Sequence, residues 1–86
     1  MVSLRYSKKF KKDLRLFKND KKVISELENI LDFLIFERTL PKKYLNHGLK
    51  GEFKDCFECH IKPDILLIYK IKKEELCILL LRIGSH

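Results

Sequence analysis

The spacing of the apolar residues passes from helical to alternating near the middle of the chain, and the place of that change limits the fold class. From residue 8 to about 37 apolar side chains recur at helical spacing; from Phe53 onward they alternate. Phe10, Leu14 and Phe17 stand at i, i+4 and i+7 with lysines opposite them, which predicts an amphipathic helix over residues 8–18, N-capped by Ser7. Asn19-Asp20 breaks it, and Asp20 is placed to cap a second helix. Val23, Ile24, Leu27, Ile30, Leu31, Leu34 and Ile35 form a wide apolar stripe that carries this helix from 21 to about 37. Residues 2–6 alternate and predict a short strand ahead of both helices. A connector over 39–51 contains Pro41, Gly48 and Gly51. Strands then follow at 53–60, 65–71 and 76–83, separated by a Pro63-Asp64 turn and a Lys72-Lys73-Glu74 turn. The middle strand is apolar on both faces, as a central strand covered by helices would be. The order β-α-α-β-β-β predicts an α+β domain, an antiparallel twisted sheet with an N-terminal helical hairpin packed on it.

A length of 86 residues allows one domain, spanning 1–86, and excludes a two-domain enzyme. The longest apolar run, Leu76–Leu81, has the length of a strand and falls far short of the ~18 residues that a membrane helix needs. No apolar stretch of export-signal length follows the N-terminus, so the expected compartment is the cytoplasm, with no membrane partner. Three cysteines fit a reducing compartment. Cys56 and Cys59 form a C-x-x-C, but on a strand residues at i and i+3 point to opposite faces. The pair would not converge on a metal, so all three thiols are expected to pack in the interior.

The net charge of +7 is concentrated in one place. Residues 1–22 carry nine Lys/Arg against Asp13 and Asp20, while the remaining 64 residues balance ten of each sign. A strongly basic element on a neutral body points to a polyanionic partner, nucleic acid first, with a solvated helix face as the plainer alternative. Lys8, Lys9, Lys11 and Lys12 are the expected contacts.

Groups suited to acid–base chemistry lie in the C-terminal half. Histidine titrates near neutral pH and moves protons without large tuning. His47 falls in the connector, His60 at a strand end and His86 after the last strand. Glu58 precedes His60 by two and shares its face; Asp64 sits in the next turn. Arg82, Lys50 and Lys54 are suited to holding phosphate and to stabilising charge that builds up at phosphorus. Each His taken singly is more often a surface or hydrogen-bonded residue, and three His with an Asp also suit zinc. No two of them have the spacing of a short metal motif.

Three segments in order make the sequence recognisable: Leu40-Pro41-x-x-Tyr44-x-x-His47-x-Leu49-x-Gly51, then Glu58-x-His60-x-x-Pro63-Asp64-x-x-Leu67-Ile68-Tyr69, then Arg82-x-Gly84-Ser85-His86. Following a basic helix and an apolar helix, they resemble the YafQ-type branch of the RelE/ParE toxin superfamily, from about Leu4 to the end. The resemblance implies the β-α-α-β-β-β fold and a toxin of a type II toxin–antitoxin system. It implies a ribosome-dependent endoribonuclease that cleaves mRNA without metal or cofactor, the substrate 2′-OH attacking phosphorus as the 5′-oxygen leaves. By matched position, His86 corresponds to the general acid and Arg82 to the arginine that stabilises the phosphorane. His47, His60 and Asp64 match catalytic or RNA-orienting positions, and Glu58 an acidic position that acts as base or orients a His. Implied partners are a cognate antitoxin, mRNA with ribosomal RNA, and operator DNA through the antitoxin. The same superfold includes ParE-like gyrase inhibitors, which lack the His set, and a catalytically weak binding member is the other alternative. Two positions depart from the family pattern. Phe57 stands where Arg is usual, and the sequence given ends at His86, where the family continues into a tail ending in an aromatic residue.

Overall fold

The computed structural model describes residues 1–51 and 55–85. Strand β1 (Ser3–Tyr6) leads into helices α1 (Lys8–Arg15) and α2 (Lys21–Ile35). A 3₁₀ turn over Lys42–Tyr44 precedes β2 (His47–Gly48), then β3 (Cys56–Lys62), β4 (Ile65–Lys72) and β5 (Cys77–Ser85). The strands form one sheet in the order β1-β5-β4-β3-β2.

Local capping chemistry starts both helices where the sequence predicts. The Ser7 hydroxyl accepts the Phe10 N–H at 3.0 Å, and the Asp20 carboxylate accepts the Val23 N–H at 3.1 Å. Both helices end earlier than periodicity suggests. After Arg15 the backbone tightens to i→i−3 bonds, from Leu16 N–H to Asp13 and from Phe17 N–H to Leu14, which turn Leu16 out to solvent and Phe17 back against the core. Helix α2 closes in a Schellman motif: Glu37 adopts φ 55°, its N–H reaches the Leu34 carbonyl, and the Arg38 N–H reaches that of Phe33.

The sheet is mixed. β1 pairs with β5 in parallel, Ser3 opposite Cys77 through Tyr6 opposite Leu80, whereas every other pair is antiparallel. The helical hairpin between β1 and the later strands supplies the long crossover that a parallel pair needs, so β1 is free of the hairpin constraint that makes the others antiparallel. β2 is a two-residue strand inside the expected connector and adds an edge beside β3. The strand expected over 53–60 is observed over Cys56–Lys62; residues 53 and 54 lie outside the described residues.

Phe10, Val23, Leu27, Ile30 and Leu34 of the helices meet Cys59, Ile61, Leu67, Tyr69, Ile78, Leu80 and Ile83 of the sheet in one core. β4 is central, as its two apolar faces predict, but both helices lie on one side of the sheet. Its other face carries Leu66, buried, and Ile68, half-buried, and bounds the site described next.

Candidate active site

Register places four residues in one row across the helix-free face: His47 opposite Glu58, Glu58 opposite Ile68, Ile68 opposite Arg82. Directly paired residues share a face. His60, Leu66 and Gly84 form the next row. Strand spacing of ~4.8 Å puts the backbones of His47 and Arg82 about 14 Å apart, at opposite sides of the site. A one-residue bulge at Leu81 puts Arg82 on this face and Leu80 on the core side.

His47 Nε2 lies 3.9 Å from Glu58 Oε1. The other ring nitrogen, Nδ1, is 2.9 Å from the Leu45 carbonyl, and His60 Nδ1 is 3.3 Å from the Pro63 carbonyl. A carbonyl only accepts, so each Nδ1 carries the hydrogen, and each ring turns Nε2 away from its backbone partner. Asp64 is exposed in the turn after β3, next to the residue that holds His60, and Lys50 is exposed beyond β2. His86 and Lys54 lie outside the described residues.

Arg82 is held from the far edge. Its Nε and Nη2 donate to the Asp13 carboxylate at 2.7 and 3.1 Å, and the Ile83 N–H donates to the same carboxylate at 3.2 Å. β1 covers β5 only as far as Leu80. Beyond it Ser7 takes over the strand edge, its N–H donating to the Leu80 carbonyl and its hydroxyl to that of Leu81. The Arg82 hydrogen bonds hold the Asp13 carboxyl below its usual range, and the carboxylate in turn raises Arg82. Arg82 remains 54% exposed, which leaves its other N–H groups open to a phosphate. Lys9 and Lys12 of α1 border the hollow around this pair; Lys8 and Lys11 do not line it.

The structure thus gathers His47, Glu58 and His60 and sets Arg82 across the same face. Sequence reasoning did not single out Asp13, Asn46 or Tyr69 for the site. Asp13 is 69 residues from Arg82 in sequence, and its only signal was an acid within a basic helix. Tyr69 is buried, and its hydroxyl donates to the Asn46 amide oxygen at 2.6 Å, beside His47. The cysteines are free and buried, as their pattern predicts; burial, with the Glu58 charge adding to it, pushes the Cys59 thiol up to about 12. Among the described residues no three His, Cys, Asp or Glu side chains come together in a way that would hold a metal ion.

Phe57, the residue that departs from the family pattern, points to the helix side and stacks on Tyr69 with ring centres 5.5 Å apart. It therefore lines a different feature, an apolar groove of about 810 Å³ between the end of α2, the connector and the sheet. Leu34, Leu40, Leu45 and Ile78 share that lining, and Arg38, Lys42 and Lys73 stand around it. Glu37, also at the groove, pairs with the Met1 amino group at 3.5 Å.

A family model described as the bacterial toxin of type II toxin–antitoxin systems, YafQ, matches residues 2–86. The mRNA interferase toxin YafQ of Escherichia coli K12 is 33% identical over 69 residues, which cover 79% of this chain and 75% of that protein. A crystal structure of a metal-bound toxin from Helicobacter pylori, 44% identical, superposes with a TM-score of 0.91 over 100% of this chain and 96% of that one. YafQ in the crystal structure of the E. coli DinJ-YafQ complex, 30% identical, gives a TM-score of 0.87 over 100% and 94%. Two helices on a five-stranded mixed sheet, the His-bearing face and a match over nearly every residue agree: the chain belongs to the YafQ family of bacterial toxins of type II toxin–antitoxin systems.

Proposed function

We propose that this toxin is an endoribonuclease that cleaves mRNA on the ribosome by acid–base transphosphorylation, acting as one domain over residues 1–86. The observation that carries this reading is the helix-free sheet face on which His47 and His60 each give Nδ1 to a backbone carbonyl, leaving Nε2 for other chemistry, with Glu58 3.9 Å from the first. In-line cleavage needs a base at the 2′-OH, an acid at the 5′-oxygen and positive charge at the phosphoryl oxygens. His47, Glu58, His60 and Asp64 supply the base and orienting groups, and His86, the last residue, the acid. Arg82 contacts phosphate through the N–H groups that do not face Asp13. Lys8, Lys9, Lys11, Lys12, Lys50 and Lys54 bind the RNA backbone, chiefly ribosomal, which gives affinity without base specificity. This work is done in the cytoplasm, where ribosomes are.

The apolar groove suits the antitoxin. Its apolar lining and the cations Arg38, Lys42 and Lys73 fit an acidic, amphipathic segment, and operator DNA would be reached only through that partner. The relative crystallised with DinJ supports a protein partner of this kind.

The test is cleavage by the purified chain of mRNA on programmed ribosomes. His60→Ala, which removes a group that orients the reacting centre, should lower the rate by about 10²-fold. Cys59→Ala, buried on the other side of the sheet, should cleave like the wild type. A His60→Ala protein that folds and cleaves at the wild-type rate would overturn the assignment.

A further inference from the structure

The geometry points to Tyr69 and Asn46 as positioning residues that fix His47 in its Nδ1-protonated form, which makes Nε2 of His47 the base that takes the 2′-OH proton. This inference rests on the endoribonuclease reading above and names the base within it.

Leu45 is the pivot. It sits in the left-handed region, φ 48° and ψ 42°, with its side chain exposed. A residue with a Cβ is strained there and holds that conformation only when its surroundings impose it. Both neighbours are tied down. On one side Tyr44 is buried, its hydroxyl donating to Glu26 at 2.9 Å and accepting from the Asn29 amide at 2.8 Å. On the other, the Asn46 amide oxygen accepts the Tyr69 hydroxyl at 2.6 Å. Tyr69 is itself fixed, 1% exposed and stacked on Phe57. Burial above all, with Cys59 adding to it and the Asn46 bond opposing it, raises the Tyr69 hydroxyl above its ordinary range, so it stays a donor. Held at both sides, Leu45 turns its carbonyl to His47 Nδ1 at 2.9 Å.

The consequence is chemical. The Leu45 carbonyl takes the Nδ1 hydrogen, so the neutral ring has its lone pair on Nε2. Nε2 and Glu58 Oε1 are both acceptors, 3.9 Å apart, a separation too long for a hydrogen bond between them. Nε2 is therefore open to a donor, and the substrate 2′-OH, which has one hydrogen to give, is such a donor; Glu58 stays beside it as an unprotonated carboxylate. The hydroxyl proton passes to Nε2 as O2′ bonds to phosphorus. The P–O5′ bond breaks, and O5′ takes a proton from the general acid. The Glu58 carboxylate then faces the imidazolium that has formed.

Tyr69→Phe keeps the buried ring and removes only the hydroxyl; Asn46→Ala removes the acceptor; Asn46→Asp keeps one. In cleavage of mRNA on programmed ribosomes, Tyr69→Phe and Asn46→Ala should each lower kcat by about 10–100-fold with KM little changed, the scale of a misplaced catalytic group. The double variant should be no slower than either single one, and Asn46→Asp should keep most of the rate. Ring nitrogen NMR of the free protein, at a pH where His47 is neutral, should show the Nδ1–H tautomer in the wild type and a mixture in Tyr69→Phe. Unchanged kcat in both single variants of an active protein, losses that multiply in the double variant, or the same His47 tautomer with and without the hydroxyl would overturn the inference. A wild-type chain that cleaves no mRNA would refute the endoribonuclease reading instead, and the NMR comparison would still decide whether the tie sets the tautomer.

Discussion

Replacing Lys9 and Lys12 with Gln tests whether the basic helix grips RNA or only faces solvent. Successive residues of a helix turn by about 100°, so Lys9, Lys12 and Leu16 lie on one flank of α1, next to Asp13. That flank borders the hollow around Arg82; Lys8 and Lys11 do not line it, although Lys8 lies one turn from Lys12. Gln has nearly the helix propensity of Lys, so the helix survives the change. Each lost phosphate contact reduces the slope of log K against log salt by about 0.7–0.9, so the pair should reduce it by about 1.4–1.8. Between 50 and 200 mM salt the wild type should therefore lose about 7–12-fold more affinity than the variant. The assay is equilibrium binding of the labelled toxin to ribosomes programmed with an mRNA of 2′-deoxy residues, which cannot be cleaved, over a series of KCl concentrations. The Lys8→Gln, Lys11→Gln pair, measured alongside, reports lysines of α1 that do not line the hollow. A Lys9/Lys12 variant with the wild-type slope would show that these ammonium groups stay solvated in the complex.

Two further outcomes follow from the ionisable groups. Asp13→Asn keeps an acceptor for the Ile83 N–H and removes the charge opposite Arg82; because the Asp13 carboxyl is held low in the folded state, its contribution is present above about pH 4 and lost as pH falls through the lowered value, so Tm should drop less steeply between pH 5 and 2 in the variant than in the wild type, and parallel Tm profiles would contradict this. The Cys59 thiol, pushed up to about 12 in the folded protein, should resist iodoacetamide at pH 8 as read by mass spectrometry, and its contribution to stability should decline from about pH 9 to 12 as the unfolded thiol ionises first; rapid native labelling of Cys59 would refute the burial argument.

What the sequence makes legible here is local. Ser7 and Asp20 cap helices within three residues of themselves, and the apolar stripes at 23–35 and the alternation beyond 56 are properties of short windows. The parallel pairing of β1 with β5 is not, because it joins Ser3 to Cys77 and no turn between them dictates direction. The ends of the helices are only half legible. The Schellman closure of α2 puts Glu37 at φ 55°, where glycine is the usual signal, so periodicity alone runs the helix on to 37.

The site divides in the same way. Glu58 and His60 share a face because they are two apart on a strand, which alternation alone shows. His47 joins them only through a two-residue strand too short to leave a pattern, and Arg82 faces the same way only because Leu81 is a bulge. Asp13 and Tyr69 act through contacts 69 and 23 residues away in sequence. The Phe57 departure reads in the sequence as a charge missing from the catalytic set. In the fold its side chain faces the helices, and the change falls on the apolar groove.

The chemistry of the cut ends tests the central claim most directly. Purified toxin should be incubated with ribosomes programmed with a defined mRNA, and both new termini identified by mass spectrometry and enzymatic end-labelling. Attack by the 2′-OH, with His47, Glu58 and His60 supplying base and orienting groups, predicts a 2′,3′-cyclic phosphate or 3′-phosphate on the upstream fragment and a 5′-hydroxyl on the downstream one. A 5′-phosphate on the downstream fragment would mean that water attacks phosphorus instead, and would contradict the mechanism.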